Sequence, residues 1–161
     1  MSVSSNETNA TLDPALRLSD YLSIERVNAR VAVGSKKKLL EHIANLLGEE
    51  DKKLTKKIFH SIIEREKLGS TGVGNGVAIP HGRCTDVEEA RLCIVTLQDA
   101  VDYDATDGEA VDIAFGLIVP TEASEQHLSL LSRIAELMGN KAVHDQLLSS
   151  KTASEILKQI S

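Results

Sequence analysis

The chain of 161 residues is 42% hydrophobic and carries a net charge of −6 from 18 basic and 24 acidic side chains. That length builds one domain with a proper core and is too short for two. The negative sign argues against duplex nucleic acid or an anionic membrane as partner. With Trp absent and only two Phe and two Tyr, neither base stacking nor an aromatic sugar platform is available in quantity.

Residues 1–17 lack periodicity and carry turn formers ending in Asp13-Pro14, so they are expected to form a mobile tail ahead of a folded domain over 18–161. The tail has no apolar stretch of the kind a secretory signal needs, and no apolar run approaches the ~18 residues of a membrane span. No integral membrane segment is therefore expected. Without a secretory signal, the glycosylation sequons Asn6-Glu7-Thr8 and Asn9-Ala10-Thr11 are chance matches. Cys84 and Cys93 belong to no paired motif, which fits a reducing, cytoplasmic compartment.

The β-branched run at 30–33 predicts a short strand, and Ser35 then caps a helix with Leu39, Leu40, Ile43, Leu46 and Leu47 at helical spacing, stopping at Gly48. Lys36, Lys37 and Lys38 open that helix and read as a solvated face. A second helix begins near Asp51 or Thr55, carries Leu54, Ile58, Phe59, Ile62 and Ile63, and closes before Gly69. Arg65 falls three residues after Ile62, at the C-terminal end of the inward face. The apolar runs at 92–97 and 111–119 have strand composition, with a short segment at 101–102 between them and acidic turns at 98–100 and 102–108. A helix over 124–138 and two more helical stretches close the chain, the last with the capping box Thr152-Ala153-Ser154-Glu155. Strands interleaved with helices predict an α/β domain, a mixed sheet covered by helices on both faces.

The stretch from 65 to 83 holds the chemistry. Gly72, Gly74 and Gly76 are able to take positive φ and leave amides open to a ligand, while Pro80 bars helix at Ile79 and stiffens the approach to His81. An imidazole beside open amides suits an anion, and a phosphoryl group is the one histidine handles covalently. By itself, a lone histidine after proline is more often a surface or turn residue than a nucleophile, and it is the glycine loop, Arg65 and a second histidine that favour function. A second histidine, His127, lies in the first turn of the 124–138 helix on the stripe with Leu130, Leu131, Ile134 and Met138, so it points inward. Its bland reading is a buried ring satisfied by a carbonyl. Its position after a strand end, where ligand sites gather, favours a role as donor to phosphoryl oxygens.

Rival chemistries fit the residues less well. No Lys-Ser or Lys-Thr follows the glycines, and Gly-x-Gly-x-x-Gly does not occur, which disfavours nucleotide binding. His81-x-x-Cys84 with His127 supplies too poor a set for zinc, so no metal or cofactor is expected. Arg83 reads either as a phosphate or partner contact or as a solvated loop charge. Glu66 orients Arg65 or is a screened surface charge. His42, His60 and His144 read as structural or surface residues.

The segment Arg65-Glu66-Lys67-Leu68-Gly69-Ser70-Thr71-Gly72-Val73-Gly74-Asn75-Gly76, continuing through His81-Gly82-Arg83, closely resembles the phosphorylation-site signature of the IIA proteins of the bacterial phosphotransferase system, fructose and mannitol type, and in particular their nitrogen-regulatory branch. The likeness runs over roughly 18–161 and includes His127-Leu128-Ser129-Leu130-Leu131. It implies a phosphocarrier in which Nε2 of His81 accepts a phosphoryl group from an HPr-like protein, itself charged from phosphoenolpyruvate through an Enzyme I homologue. Arg65 and His127 occupy the positions of the family's phosphate-site arginine and second histidine. Regulated targets such as a potassium transporter or a sensor kinase are implied for the nitrogen branch. The alternative is a IIA component that passes the group to a separate IIB of a fructose or mannitol permease.

Overall fold

The two longest apolar runs pair with each other and set the architecture. Arg91–Val101 (β5) and Val111–Pro120 (β6) lie antiparallel, with Leu92 opposite Leu117, Ile94 opposite Phe115 and Thr96 opposite Ile113. The structure, a computed structural model, describes residues 16–160. Val27–Val31 (β1) adds in parallel to β5, and the far edge of β6 carries two short parallel strands end to end, Val77–Ala78 (β3) and His81–Cys84 (β4). Gly72–Gly74 (β2) turns back antiparallel on β3, which completes a mixed six-stranded sheet in the order β1-β5-β6-β3-β2, with β4 also on β6. Pro80 separates β3 from β4 because it has no N–H to give the ladder. Its carbonyl still accepts from Leu117 at 3.0 Å, so the chain stays against β6 through the break.

Strand alternation sends successive side chains to opposite faces. Cys93, Val95, Ala114 and Ile118 pack with Leu39, Ile43 and Leu47 of Lys36–Gly48 (α1) and Ile58 and Ile62 of Lys52–Glu66 (α2). Leu92, Ile94, Ile113, Phe115, Leu117 and Val119 pack with Leu130 and Ile134 of Ser124–Met138 (α3), Leu147 of Lys141–Ser149 (α4) and Ile156 of Ala153–Ile160 (α5). Both faces are covered, hence the nearly unbroken apolar runs. Phe115 and Leu117 are fully buried, each worth roughly 1.5–3 kcal/mol of removed apolar surface. Gly116 lets α1 close on the sheet: a Cβ there would stand 2.4 Å from Cγ2 of Ile43 and 2.6 Å from Sγ of Cys93.

The helix caps follow the sequence. Ser35 Oγ accepts from Lys38 N–H, Asp51 Oδ1 from the N–H groups of Lys53 and Leu54, and Thr152 Oγ1 from Glu155 N–H, each at 3.1 Å. Three local readings are corrected. The first strand spans Val27–Val31 rather than 30–33, because pairing with Ile94 and Val95 recruits polar Asn28, whose Oδ1 meets the His42 ring at 2.7 Å. Residues 98–100 form no turn: β5 runs through them to Val101, with its register on β6 shifting between Thr96 and Val101. Lys36 is more than a solvated charge, since it sits 3.1 Å from the Glu66 carboxylate and 4.4 Å from the centre of the Tyr103 ring. The expected tail at 1–17 falls mostly outside the described residues. Of its described end, Leu16 packs on the second core cluster, next to buried Leu18.

Candidate active site

The end of α2, the start of β4 and the first turn of α3 meet at one edge of the sheet. Alternation in β4 puts Gly82 and Cys84 on the α1–α2 side, where Cys84 joins the core and a Cβ on Gly82 would lie 2.3 Å from Ser61 Oγ. His81 and Arg83 take the opposite side, toward α3. His81 and His127 meet there edge to face, ring centres 5.0 Å apart and planes at 77°. The two are only 9% and 8% exposed.

Hydrogen bonds define both rings. His81 Nδ1 is 2.7 Å from the Ile79 carbonyl oxygen, which can only accept, so Nδ1 carries the proton and the neutral ring keeps its lone pair on Nε2. Arg83 Nε–H donates to His127 Nδ1 at 3.2 Å. Burial, opposed by the Ile79 hydrogen bond and reinforced by the Arg65 charge, holds the His81 pKa below its ordinary 6.5. Burial and then the neighbouring His81, Arg83 and Arg65 push His127 down to about 4. Near neutral pH both imidazoles are uncharged: one presents a nucleophilic nitrogen and the other an N–H. The N-terminus of α3, one turn before His127, favours negative charge nearby.

Arg65 is half-buried at the last turn of α2, and its Nη1 donates to the Gly69 carbonyl at 2.9 Å. Its remaining N–H groups make it a second cation beside the histidines. Glu66 turns away from Arg65. Its carboxylate accepts from Thr71 N–H at 3.1 Å and from Tyr103 OH at 2.8 Å, and also binds Thr71 Oγ1 and Lys36. Burial would raise the Glu66 pKa, but hydrogen bonds from Thr71, Tyr103 and Lys36 together hold it low. This carboxylate staples the turn between α2 and β2, and so the segment from which Gly69 holds Arg65.

The hairpin holds Gly76 away from His81, the Gly72 amide is already taken and Gly74 faces a carboxylate, against the expectation that amides of Gly72, Gly74 and Gly76 line an anion site beside the ring. Asn75 (φ 57) and Gly76 (φ 82) form the two-residue turn of the β2–β3 hairpin. The Gly76 carbonyl accepts from Asp112 and Ile113, whereas His81 sits opposite Leu117, a separation of roughly 15 Å at the rise of a strand. Gly72 N–H donates to Ser70 Oγ at 3.0 Å, and Asn75 N–H is taken by the Asp107 carboxylate at 2.9 Å. Gly74 faces that same Asp107, whose charge repels an anion. Among the described residues, no three His, Cys, Asp or Glu side chains are grouped to hold a metal ion, and Cys84 lies on the face away from His81.

Sequence reasoning left Arg83 undecided and did not single out Ser61 or Tyr103. A strand reading of 81–84 would have found Arg83, because residues two apart share a face. The Asn75-Gly76 pair was the signal for the hairpin.

Residues 20–161 match the family model of the phosphoenolpyruvate-dependent sugar phosphotransferase system, EIIA 2, and the chain belongs to that family. It is 44% identical over 146 residues to a nitrogen regulatory protein of Pseudomonas aeruginosa, covering 90% of this chain and 94% of the relative. A nitrogen regulatory protein of Escherichia coli is 36% identical over 149 residues, covering 92% and 91%. The crystal structure of nitrogen regulatory protein IIA-Ntr from Neisseria meningitidis superposes with a TM-score of 0.81 at 34% identity, covering 89% of this chain and 99% of that one. No helix among the described residues is long and apolar enough to cross a membrane.

Proposed function

We propose that the chain is a regulatory phosphocarrier that accepts a phosphoryl group on Nε2 of His81 from the phosphohistidine of an HPr-like carrier protein, and that its phosphorylation state decides which proteins it binds. The observation that carries this reading is the Nδ1–H···O=C bond from His81 to Ile79, which leaves the lone pair of the neutral ring on Nε2. In the transfer, that lone pair forms the new N–P bond as the donor's N–P bond breaks and its electron pair returns to the donor ring. The proton stays on Nδ1, where the Ile79 carbonyl stabilises the positive charge the ring acquires. Such transfer asks chiefly for alignment and for donors to the equatorial oxygens. His127 Nε2–H and the Arg65 guanidinium supply them. The relatives named nitrogen regulatory proteins support regulation over onward transfer to a permease, and a cytoplasmic location goes with that reading.

The test is incubation with phosphoenolpyruvate, Enzyme I and the HPr-like carrier, read by intact mass. The expected result is an acid-labile gain of one phosphoryl group, absent in His81→Ala. Labelling of His81→Ala at the wild-type rate would refute the assignment. Rapid discharge to an added IIB domain would point to the permease component instead.

A further inference from the structure

Arg83 is joined to His127 across two elements. A guanidinium has donors only, so the 3.2 Å contact from its Nε makes His127 Nδ1 an acceptor. A neutral His127 then keeps its proton on Nε2. The opposite tautomer, or the imidazolium, would set an N–H against an N–H. The geometry assigns Arg83 as the positioning residue that holds His127 in its Nε2–H form, ready to donate to a phosphoryl oxygen on His81, a role that rests on the phosphocarrier reading.

The backbone around Arg83 is fixed independently of its side chain. Ser61 Oγ on α2 accepts from Arg83 N–H at 2.9 Å and donates to the Arg83 carbonyl at 2.8 Å, so one hydroxyl clips both main-chain groups. Gly82 allows that approach, because any Cβ would collide with Ser61. The side chain leaves this clip on the α3 side of β4, directed at His127. Arg83 is exposed, and its truncation opens no core cavity.

The experiment uses the full chain labelled with 15N-histidine, with the His127 signals identified by their loss in His127→Gln. At about pH 7.5, long-range 1H–15N correlation should show His127 with a pyrrole-like Nε2 and a pyridine-like Nδ1. In Arg83→Ala the two nitrogen shifts should converge as tautomers mix. Arg83→Lys, which still brings an N–H donor to Nδ1, should restore their separation. Phosphoryl transfer to Arg83→Ala at saturating phosphorylated carrier should slow roughly five- to tenfold, the worth of one such hydrogen bond, with the half-saturating carrier concentration little changed and the rate recovered in Arg83→Lys. A solvated loop charge predicts His127 shifts and a transfer rate like the wild type in Arg83→Ala, and either result overturns the assignment. If the wild-type protein takes up no phosphoryl group, the functional reading fails, while the shifts of the unphosphorylated protein still decide whether Arg83 sets the tautomer.

Discussion

Acidification should expose the cost of keeping His127 neutral. In the folded chain its proton affinity is depressed from 6.5 to about 4, while the unfolded chain titrates near the ordinary value. Between those limits the unfolded state binds more protons, so stability rises with pH there. The contribution is fully present above about 6.5 and is lost as pH falls toward 4. Each tenfold in proton affinity is worth about 1.4 kcal/mol, which sets a ceiling of roughly 3 kcal/mol. Water and salt at the rim of the site reduce that to on the order of 2 kcal/mol. The assay is urea unfolding of wild type and His127→Gln at pH 7.5, 6.5, 5.5 and 4.5. Glutamine does not titrate and still offers Arg83 an acceptor, so subtracting the two curves removes the carboxylates and the other histidines. The expected outcome is a wild-type advantage that shrinks by about 2 kcal/mol from pH 7.5 to 4.5. A difference that stays flat would refute the argument that burial and the neighbouring His81, Arg83 and Arg65 suppress protonation of His127.

Glu66→Ala should destabilise the fold by about 3 kcal/mol in urea, because it strands Lys36 and Thr71 N–H in a half-buried setting and leaves Tyr103 OH with Thr71 Oγ1 alone; a loss below 1 kcal/mol would mean water replaces the carboxylate without penalty. Gly76→Ala should cost about 1–2 kcal/mol, since it forces a Cβ into φ +82 and to within 2.9 Å of Asp112 Oδ1, yet leave phosphoryl uptake per folded molecule unchanged. Collapse of uptake in a folded Gly76→Ala would restore the glycine amides to the site. Arg65→Ala should slow phosphoryl uptake with little change in the urea midpoint, and wild-type kinetics would demote Arg65 to a cap on Gly69.

The parts of the fold legible in the sequence were those where local signals and tertiary demand agree. Ser35, Asp51 and Thr152 cap the helices they announce, and the runs at 92–97 and 111–119 are strands because both faces are covered. The α3 stripe likewise points His127 inward, whereas the side taken by His81 is set by its place in β4, which the sequence reading did not foresee. Where the reading failed, long-range pairing decided. Asn28 has poor strand propensity but lies in β1 because β5 supplies the ladder and His42 meets its side chain. The glycines looked like an anion loop because exposed amides and a tight hairpin ask for the same residue; only pairing with β3, and Asp107 on Asn75, separate the two. The sign of a neighbouring charge distant in sequence is not written in a local motif.

If the proposed phosphocarrier role holds, the site's two rings also bear on how a phosphorylation state would be made readable. Both are uncharged near neutral pH, and His81, its ring centre 5.0 Å away, is among the groups that raise the cost of protonating His127. The unphosphorylated surface thus presents guanidinium charge from Arg65 and Arg83 with no imidazolium beside it. On the phosphocarrier reading, a phosphoryl group on His81 would add close to two negative charges at that point, beside the Arg65 guanidinium. The change a partner would meet is then one of sign rather than of shape. Arg65 is held by a neutral carbonyl of the Gly69 turn, a contact weaker than a guanidinium–phosphate pair in which both partners are charged, so the dianion would compete for it on favourable terms. Glu66, fastened to Thr71 and Tyr103, would keep the turn in place during that exchange. A rigid turn with a transferable arginine would let the surface change its charge without unfolding its edge.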